Sequence, residues 1–184
     1  MSLSQQKFRE IVFQLLFSEE MNDPNPENMT QLMMAELAVS KKNVKMAQEK
    51  MHKVLQKLPE IDPLIMSVSI GYEFNRIQTL TKTVLRLGVF ELLFDESIPP
   101  KVAITEAMRL ARKFGTPESA TFVNAVLDHL YQASQGLPQN IKELEAQAKT
   151  FDQCEKEAQA IALKATEAQE KDNIGLHKAD EITD

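Results

Sequence analysis

Apolar residues near the start of the chain recur at the spacing of one helix face. They follow the i, i+3, i+4, i+7, i+8 pattern of a helix that is buried along a single stripe. The positions concerned are Phe8, Ile11, Val12, Leu15 and Leu16. The spacing predicts a first helix over residues 3–21. Two prolines follow within residues 22–27, and because each removes a backbone donor and disfavours helical angles in the residue before it, we expect a loop there.

Similar stripes continue to residue 136, separated by short breaks. They predict six further helices, over residues 29–38, 41–58, 62–74, 79–93, 101–114 and 117–134. In this scheme Pro59 ends the third helix, and Asp62 with Pro63 begins the fourth as a capping residue followed by proline at the first helical position. Gly115 is predicted to end the sixth with a left-handed backbone. Seven helices with short connections predict an all-α domain over residues 1–136.

The chain changes character after Pro138. Residues 137–184 are rich in Ala, Gln, Glu and Lys, and their large apolar residues are too widely spaced to form a second core: Leu144, Phe151, Ile161 and Leu163. We predict a weak, mostly solvated helix over residues 139–170 and disorder over residues 171–184. Removal of everything after Gly136 is therefore expected to leave the unfolding temperature nearly unchanged.

The net charge of −6 is concentrated in this tail. Residues 137–184 carry six basic and eleven acidic side chains, net −5, whereas residues 1–136 carry 15 and 16, net −1. A near-neutral domain can still present a local basic face, so composition neither supports nor excludes a nucleic-acid partner.

Nothing in the sequence indicates export or a membrane partner. The start of the chain lacks a basic segment followed by an unbroken apolar run, and no stretch of about twenty apolar residues occurs. Cys154 is the single cysteine, which fits a reducing compartment. We expect a cytoplasmic protein.

Sequence motifs of catalysis are missing. The chain has no glycine-rich phosphate loop, no closely spaced histidine or cysteine pair for a metal, and no nucleophile elbow. We therefore expect no enzymatic activity, no catalytic residue, no cofactor and no metal site. Three carboxylates, Glu91, Glu106 and Asp128, stand singly among apolar helix positions. We interpret them as interhelix or capping contacts rather than as acid or base catalysts.

The start of the last core helix is a candidate anion site. Thr121 and Phe122 fall within its first two turns, where free backbone donors attract anions. Helical spacing alone predicts that Phe122 is a core residue at the border of the apolar stripe. Core packing and ligand contact both remain open for it.

Several blocks of sequence, in order, resemble the NusB family of transcription antitermination factors. Residues 81–130 contain Leu-Arg before Val-Phe-Glu-Leu-Leu, then Pro-Lys-Val-Ala-Ile-Thr-Glu-Ala, Ala-Arg-Lys-Phe-Gly and Phe-Val-Asn-Ala-Val-Leu-Asp. Residues 9–17, Arg-Glu-Ile-Val-Phe-Gln-Leu-Leu-Phe, are similar to the family's first helix. The resemblance covers residues 5 to about 135.

The resemblance implies two orthogonally packed three-helix groups that form one all-α domain. It also implies a function. Proteins of this family bind boxA-type RNA together with NusE, a small-subunit ribosomal protein. They act within an RNA polymerase antitermination complex that suppresses termination in ribosomal RNA operons.

The resemblance further implies which residues form the site. The family's N-terminal RNA strip falls on four positions, of which only Lys7 and Arg9 are basic: Gln5, Gln6, Lys7 and Arg9. The second RNA-facing patch falls on Glu118, Ser119, Thr121 and Phe122. Arg86 matches the family arginine of the Leu-Arg block and joins the RNA-binding set. Phe17 stands in the region that faces NusE.

Two alternatives stay open. The first is a module of the same fold that keeps the protein partner but has weakened or lost RNA recognition, which the missing N-terminal arginines favour. The second is a domain like the one appended to ribosomal RNA cytosine methyltransferases. The 48 residues after residue 136 are too few to hold a Rossmann-like half, which disfavours it.

Overall fold

The computed structural model describes residues 3–21, 34–35, 39–69, 73–137 and 141–180. Within these ranges the chain forms six α-helices, one 3₁₀ turn and no strand. The helices are α1 (Gln5–Glu20), α2 (Lys41–Val68), α3 (Thr79–Leu93), α4 (Pro100–Phe114), α5 (Pro117–Ser134) and α6 (Ile141–Asp180), and the 3₁₀ turn is Phe74–Arg76. The predicted all-α class is confirmed.

The helix predicted over residues 29–38 lies outside the described residues, except for Met34 and Ala35, which are helical. None of the helices in the described part of the chain has the length and apolar character needed to cross a membrane.

The second helix, α2, corrects the prediction that Pro59 ends one helix and Asp62 begins another. It runs from Lys41 to Val68 with Pro59 and Pro63 inside it. One buried apolar stripe continues past both prolines: Val44, Ala47, Met51, Val54, Ile61, Ile65 and Val68. Both prolines are exposed, so the carbonyls that lose their helical donors lie toward solvent. Burial of the stripe outweighs the cost of about 3 kcal/mol for a proline inside a helix.

The third helix, α3, lies at the centre of the domain and contacts α1, α2, α4 and α5. Gly88 permits its close approach to two neighbours. A Cβ atom at this position would lie 2.9 Å from Leu127 Cδ1 on α5 and 3.1 Å from Ala107 Cβ on α4. Because α4 and α5 also pack on each other, helices α3 to α5 form one three-helix group, and α1 and α2 pack together beside it.

Gly115, between α4 and α5, does not have the predicted left-handed backbone, because its φ angle is −124°. Glycine is needed there for space. A Cβ atom would lie 2.8 Å from Ser119 Oγ and 2.9 Å from the Ala111 carbonyl oxygen. Gly136, which follows α5, does have a left-handed backbone, with a φ of 68°.

The last helix, α6, extends further than the expected tail helix. It includes residues 171–180, for which disorder is expected, whereas residues 181–184 lie outside the described residues. Most of its described side chains are exposed, as expected for a mostly solvated helix, but a short face is buried. Ala148, Phe151 and Glu155 are 0%, 2% and 6% exposed, and both apolar residues belong to the main hydrophobic core. Their spacing of three and four residues places them on one face of α6.

Candidate nucleic-acid interface

Arg9, one of the two basic residues expected to meet RNA at the N-terminal strip, faces the interior. It is 5% exposed, and its Nε donates to Glu91 Oε2 at 2.8 Å. Its Nη1 lies 3.8 Å from Glu106 Oε2. α1 turns this guanidinium toward carboxylates of α3 and α4. This pairing argues against the expected RNA contact of Arg9, which stays a prediction.

Glu91 is enclosed by two cations. Lys50 Nζ on α2 donates to its other carboxylate oxygen, Oε1, and also lies 3.3 Å from Asp95 Oδ2. Glu91 itself is 2% exposed. We call Arg9, Lys50, Glu91 and Glu106 the central ion cluster. Buried charges persist only when they are paired, so the interpretation of Glu91 and Glu106 as interhelix contacts is confirmed.

A second, more exposed set of charges lies where α1 meets α4. Arg109 Nη1 donates to Glu10 Oε1, and Lys113 Nζ donates to Glu10 Oε2 at 2.7 Å. Burial raises the pKa of the Glu10 carboxyl, but the hydrogen bonds and charges of Lys113 and Arg109 outweigh it and lower this pKa below its ordinary value. We call Lys7, Glu10, Arg109 and Lys113 the α1–α4 edge, since Lys7 lies one turn before Glu10 on α1.

Arg86 is also engaged within the protein. Its guanidinium donates to both carboxylate oxygens of Asp62 at 2.9 and 2.8 Å, and to Glu20 Oε2 at 2.7 Å. The side chain is 13% exposed. Arg86 therefore ties α3 to α2 and α1. Both edges of its guanidinium are occupied, which argues against its expected role as an RNA contact.

Phe17 lies in the last turns of α1, on the same end of the helix as Glu20. It is half-buried, and its ring stacks on Phe13 with 6.1 Å between centroids. The outer part of the ring is left at the surface, where a partner protein can reach it.

Two of the residues expected at the start of α5 have different surroundings. Ser119 is buried and belongs to a capping box: its Oγ accepts the Thr116 N–H at 3.0 Å, and Thr116 Oγ1 accepts the Ser119 N–H at 3.1 Å. Its hydroxyl thus caps the start of the helix, which argues against its expected role as an RNA contact. Thr121 is exposed, and its hydroxyl donates to the Pro117 carbonyl at 3.2 Å.

Phe122 is 1% exposed and stacks face to face on Phe151 of α6. The two ring centroids are 4.5 Å apart, and the rings are within 5° of parallel. The interpretation of Phe122 as core, drawn from spacing alone, describes this state of the molecule. The face of the ring that lies toward α6 is covered by Phe151.

A hydrogen bond reinforces this stack. Glu155 Oε1 accepts the backbone N–H of Gln78, the capping residue of α3, at 3.3 Å. We call the packing of Phe122 against Phe151, together with the Glu155 hydrogen bond, the α5–α6 contact. A cavity of about 360 Å³ lies beside it, lined by Glu118, Thr121, Ala146, Gln147, Thr150 and Phe151.

The expected residues therefore do not converge on one surface. Glu118, Thr121 and Phe122 come together at the start of α5, beneath α6. Lys7 lies on the α1–α4 edge, and Phe17 lies at the other end of α1. Similarity to known proteins identifies the family to which this chain belongs.

The model of the NusB family matches residues 6–132. The chain belongs to the NusB family. A transcription antitermination protein NusB from Lachnoclostridium phytofermentans is 33% identical over 127 residues, which span 68% of this chain and 96% of that protein. A crystal form of T. maritima NusB is 30% identical, with a TM-score of 0.61, and the match covers 72% of this chain and 93% of that one.

A third similar protein was solved as a complex. The crystal structure of the antitermination factors NusB and NusE with double-stranded RNA contains a chain that is 25% identical to this one. Its TM-score is 0.60, and the match covers 70% of this chain and 96% of that one.

The family match ends before α6 begins. Phe122 lies inside the matched range, whereas Phe151 and Glu155 lie outside it. In this member of the NusB family, the covered face thus belongs to the family domain and the covering helix does not.

Sequence reasoning missed Phe151 and Glu155. A signal was present, because Ala148, Phe151 and Glu155 are spaced three and four residues apart, as on a buried helix face. Large apolar residues alone do not reveal this stripe, because it consists of one small, one aromatic and one acidic residue.

Proposed function

We propose that this protein is a non-enzymatic transcription antitermination factor that binds boxA-type RNA together with NusE. It acts in the cytoplasm within an RNA polymerase complex on ribosomal RNA operons. The observation that carries the proposal is the likeness, across nearly the whole of that chain, to a protein solved with NusE and double-stranded RNA. Membership of the NusB family supports it.

The charged residues suggest where RNA would approach. Lys7 remains the N-terminal candidate, since it is the basic residue of the expected strip that lies outside the central ion cluster. On the neighbouring α4, Lys113 keeps 49% of its side chain exposed while it pairs with Glu10. Cations at a surface attract phosphates by releasing counterions, and this attraction is independent of RNA sequence.

The remaining candidates lie on α5 and α1. Thr121 and Glu118 flank the α5 start, and Phe122 joins them when its ring is accessible. Glu118 opposes RNA there, because a carboxylate near a helix start competes with phosphate for backbone donors. Phe17, with its half-buried ring at the end of α1, is our candidate contact for NusE.

Fluorescence anisotropy with a labelled boxA-type RNA tests the proposal. Titrations of the full chain should be made with and without NusE, and against an RNA of scrambled sequence. We expect NusE to strengthen binding to the boxA-type RNA more than to the scrambled one. Equal binding to both RNAs, or none even with NusE, would contradict the proposal.

A pair of lysine variants locates the RNA. Lys7→Ala should reduce the slope of log affinity against log salt by about one, because one phosphate contact is lost. Lys53→Ala is the matched control, since it removes the same charge from an exposed position on α2. Equal slopes for Lys7→Ala and the unaltered protein would remove Lys7 from the interface.

A second candidate function is a protein-binding module of the same fold with weakened RNA recognition. The observation that favours it is the internal pairing of Arg9 and Arg86, which leaves few basic residues of the expected RNA set at the surface. The same titrations separate the two candidates, because the module would bind NusE without any gain in RNA affinity.

A further inference from the structure

We propose that α6 is an intramolecular competitor of RNA, which occupies the α5 face with one aromatic ring and one carboxylate. The inference rests on the proposed function, because it concerns the regulation of the same RNA site. It is carried by three features of the α5–α6 contact: the ring stack, the capping carboxylate and the incomplete packing around them.

The ring stack excludes a nucleobase from Phe122. Phe151 lies parallel to Phe122 at 4.5 Å between centroids, which is the arrangement an unpaired base adopts on an aromatic side chain. Phe122 is 1% exposed and Phe151 is 2% exposed. A base can therefore stack on Phe122 only after Phe151 has left.

Glu155 takes the place of an anion. Its carboxylate accepts the backbone N–H of Gln78 at the start of α3, where free donors and the helix dipole favour negative charge. A second cavity, of about 290 Å³, has both Glu118 and Glu155 in its lining. While α6 is docked, carboxylates surround the approach to the α5 start, and phosphate is repelled from it.

Three features of the α5–α6 contact favour the release of α6 from α5. Gln147 Oε1 is buried and has no hydrogen-bond partner among the residues that the structure describes, so undocking of α6 would give this oxygen access to water. The cavities beside the stack show that the packing there is incomplete. The buried anchor is short, since exposed positions follow Glu155 along the helix.

Two substitutions in the full chain test the competition. RNA affinity is measured by anisotropy with the labelled boxA-type RNA, in the presence of NusE. We expect Phe151→Ala to tighten binding roughly tenfold, because apparent affinity scales with the fraction of molecules whose binding face is open. Glu155→Gln should act in the same direction and keeps the test valid if Phe151→Ala folds poorly.

Matched controls lie on the same helix. Leu163→Ala shortens an apolar side chain that is 63% exposed, and Glu157→Gln removes the same charge as Glu155→Gln from an exposed position that also lines the second cavity. We expect no change from Leu163→Ala. Glu157→Gln measures the general effect of charge, which the gain from Glu155→Gln must exceed.

Hydrogen exchange gives a second readout. Saturating RNA should speed amide exchange over residues 141–160, because displaced α6 loses its packing. If neither Phe151→Ala nor Glu155→Gln strengthens RNA binding, and RNA leaves the amide exchange of α6 unchanged, the proposed competition is wrong. The proposed function would still hold in that case. Failure of every variant to bind RNA, even with NusE, overturns the proposed function and the competition together.

Discussion

The central ion cluster and the α5–α6 contact both enclose residues that the family resemblance assigns to RNA, but they do so by different means. Arg9 is enclosed by carboxylates of α3 and α4 inside the family domain. Phe122 is enclosed by a ring on α6, a helix beyond the family match. Arg9 is therefore covered by helices of the family domain, whereas Phe122 is covered by a helix that lies outside it.

This difference determines what each residue can still do. Arg9 can reach a ligand only if α1 separates from α3 and α4, which would leave several buried charges without partners. Movement of α6 alone would uncover the side of Phe122 that stacks on Phe151. We therefore expect Arg9 to be structural, whereas Phe122 becomes available when α6 is displaced, as we propose above.

The largest effect is expected at the centre of the ion cluster. Glu91→Ala should destabilise the protein by about 3–5 kcal/mol, because Arg9 and Lys50 would remain buried without their shared partner. Urea unfolding followed by circular dichroism measures this loss. Glu96→Ala, which removes an exposed carboxylate just after α3, is the control and should have little effect.

A small loss for Glu91→Ala, similar to that of Glu96→Ala, would break the comparison. It would mean that the cluster is hydrated and that Arg9 is free to turn outward. In that case Arg9 would return to the set of candidate RNA contacts.

The second prediction concerns the two rings of the α5–α6 contact. Phe122→Ala should cost about 3–5 kcal/mol, because its side chain is also part of the main hydrophobic core. Phe151→Ala should cost clearly less, since its loss can only undock α6, and the cost cannot exceed the free energy of docking. Urea unfolding of both variants provides the measurement. Equal losses would show that α6 unfolds only together with the whole domain.

The comparison also explains how far the sequence could be interpreted. The helices of the family domain follow from apolar stripes, because helical spacing is local in sequence. The ion pairs do not, since Arg9 and Glu91 are 82 positions apart and an arginine beside an apolar stripe looks exposed until its partner is known. The continuity of α2 was not predicted, because Pro59 and the Asp62–Pro63 pair both favour a break, whereas Ile61 and Ile65 extend the buried stripe across it.

The residues of the candidate site also differ in how far the sequence predicts them. The resemblance assigns the start of α5 to RNA, whereas the structure shows that Ser119 is used there as a cap. Phe151 could not be assigned by resemblance, because it lies beyond the family match. Its contact with Phe122 is known only from the structure.

The third prediction separates structure from recognition within one helical turn. Ser119→Ala should destabilise the protein by about 1 kcal/mol, because the capping box at the start of α5 is broken. RNA affinity of the folded protein should not change. Thr121→Ala is the partner variant: its hydroxyl is exposed, so it should affect stability less and RNA affinity more. Thermal unfolding and anisotropy on both variants decide between these outcomes.

The smallest effect is expected at the α1–α4 edge, where ion pairs are partly exposed. Glu10→Gln should cost on the order of 1 kcal/mol or less at neutral pH, because exposed pairs are weakened by solvent. The pKa of Glu10 is lowered in the folded protein by Lys113 and Arg109, despite burial, which acts to raise it. Its stabilisation is therefore fully present above its ordinary pKa of 4.5 and is lost as the pH falls through the lowered value.

The measurement is the difference in unfolding free energy between the unaltered protein and Glu10→Gln, from urea titrations at a series of pH values. The difference should be constant from pH 7 to about pH 5 and should shrink below that, because the protonated carboxyl and the amide are then alike in charge. Other carboxylates whose pKa is lowered, such as Asp95, titrate in both proteins and cancel. Glu19→Gln, at an exposed position on α1, should give a difference near zero throughout. A difference that instead grows in acid would mean that Glu10 is held protonated by burial, and that Arg109 and Lys113 are free to meet an RNA phosphate without first leaving a carboxylate.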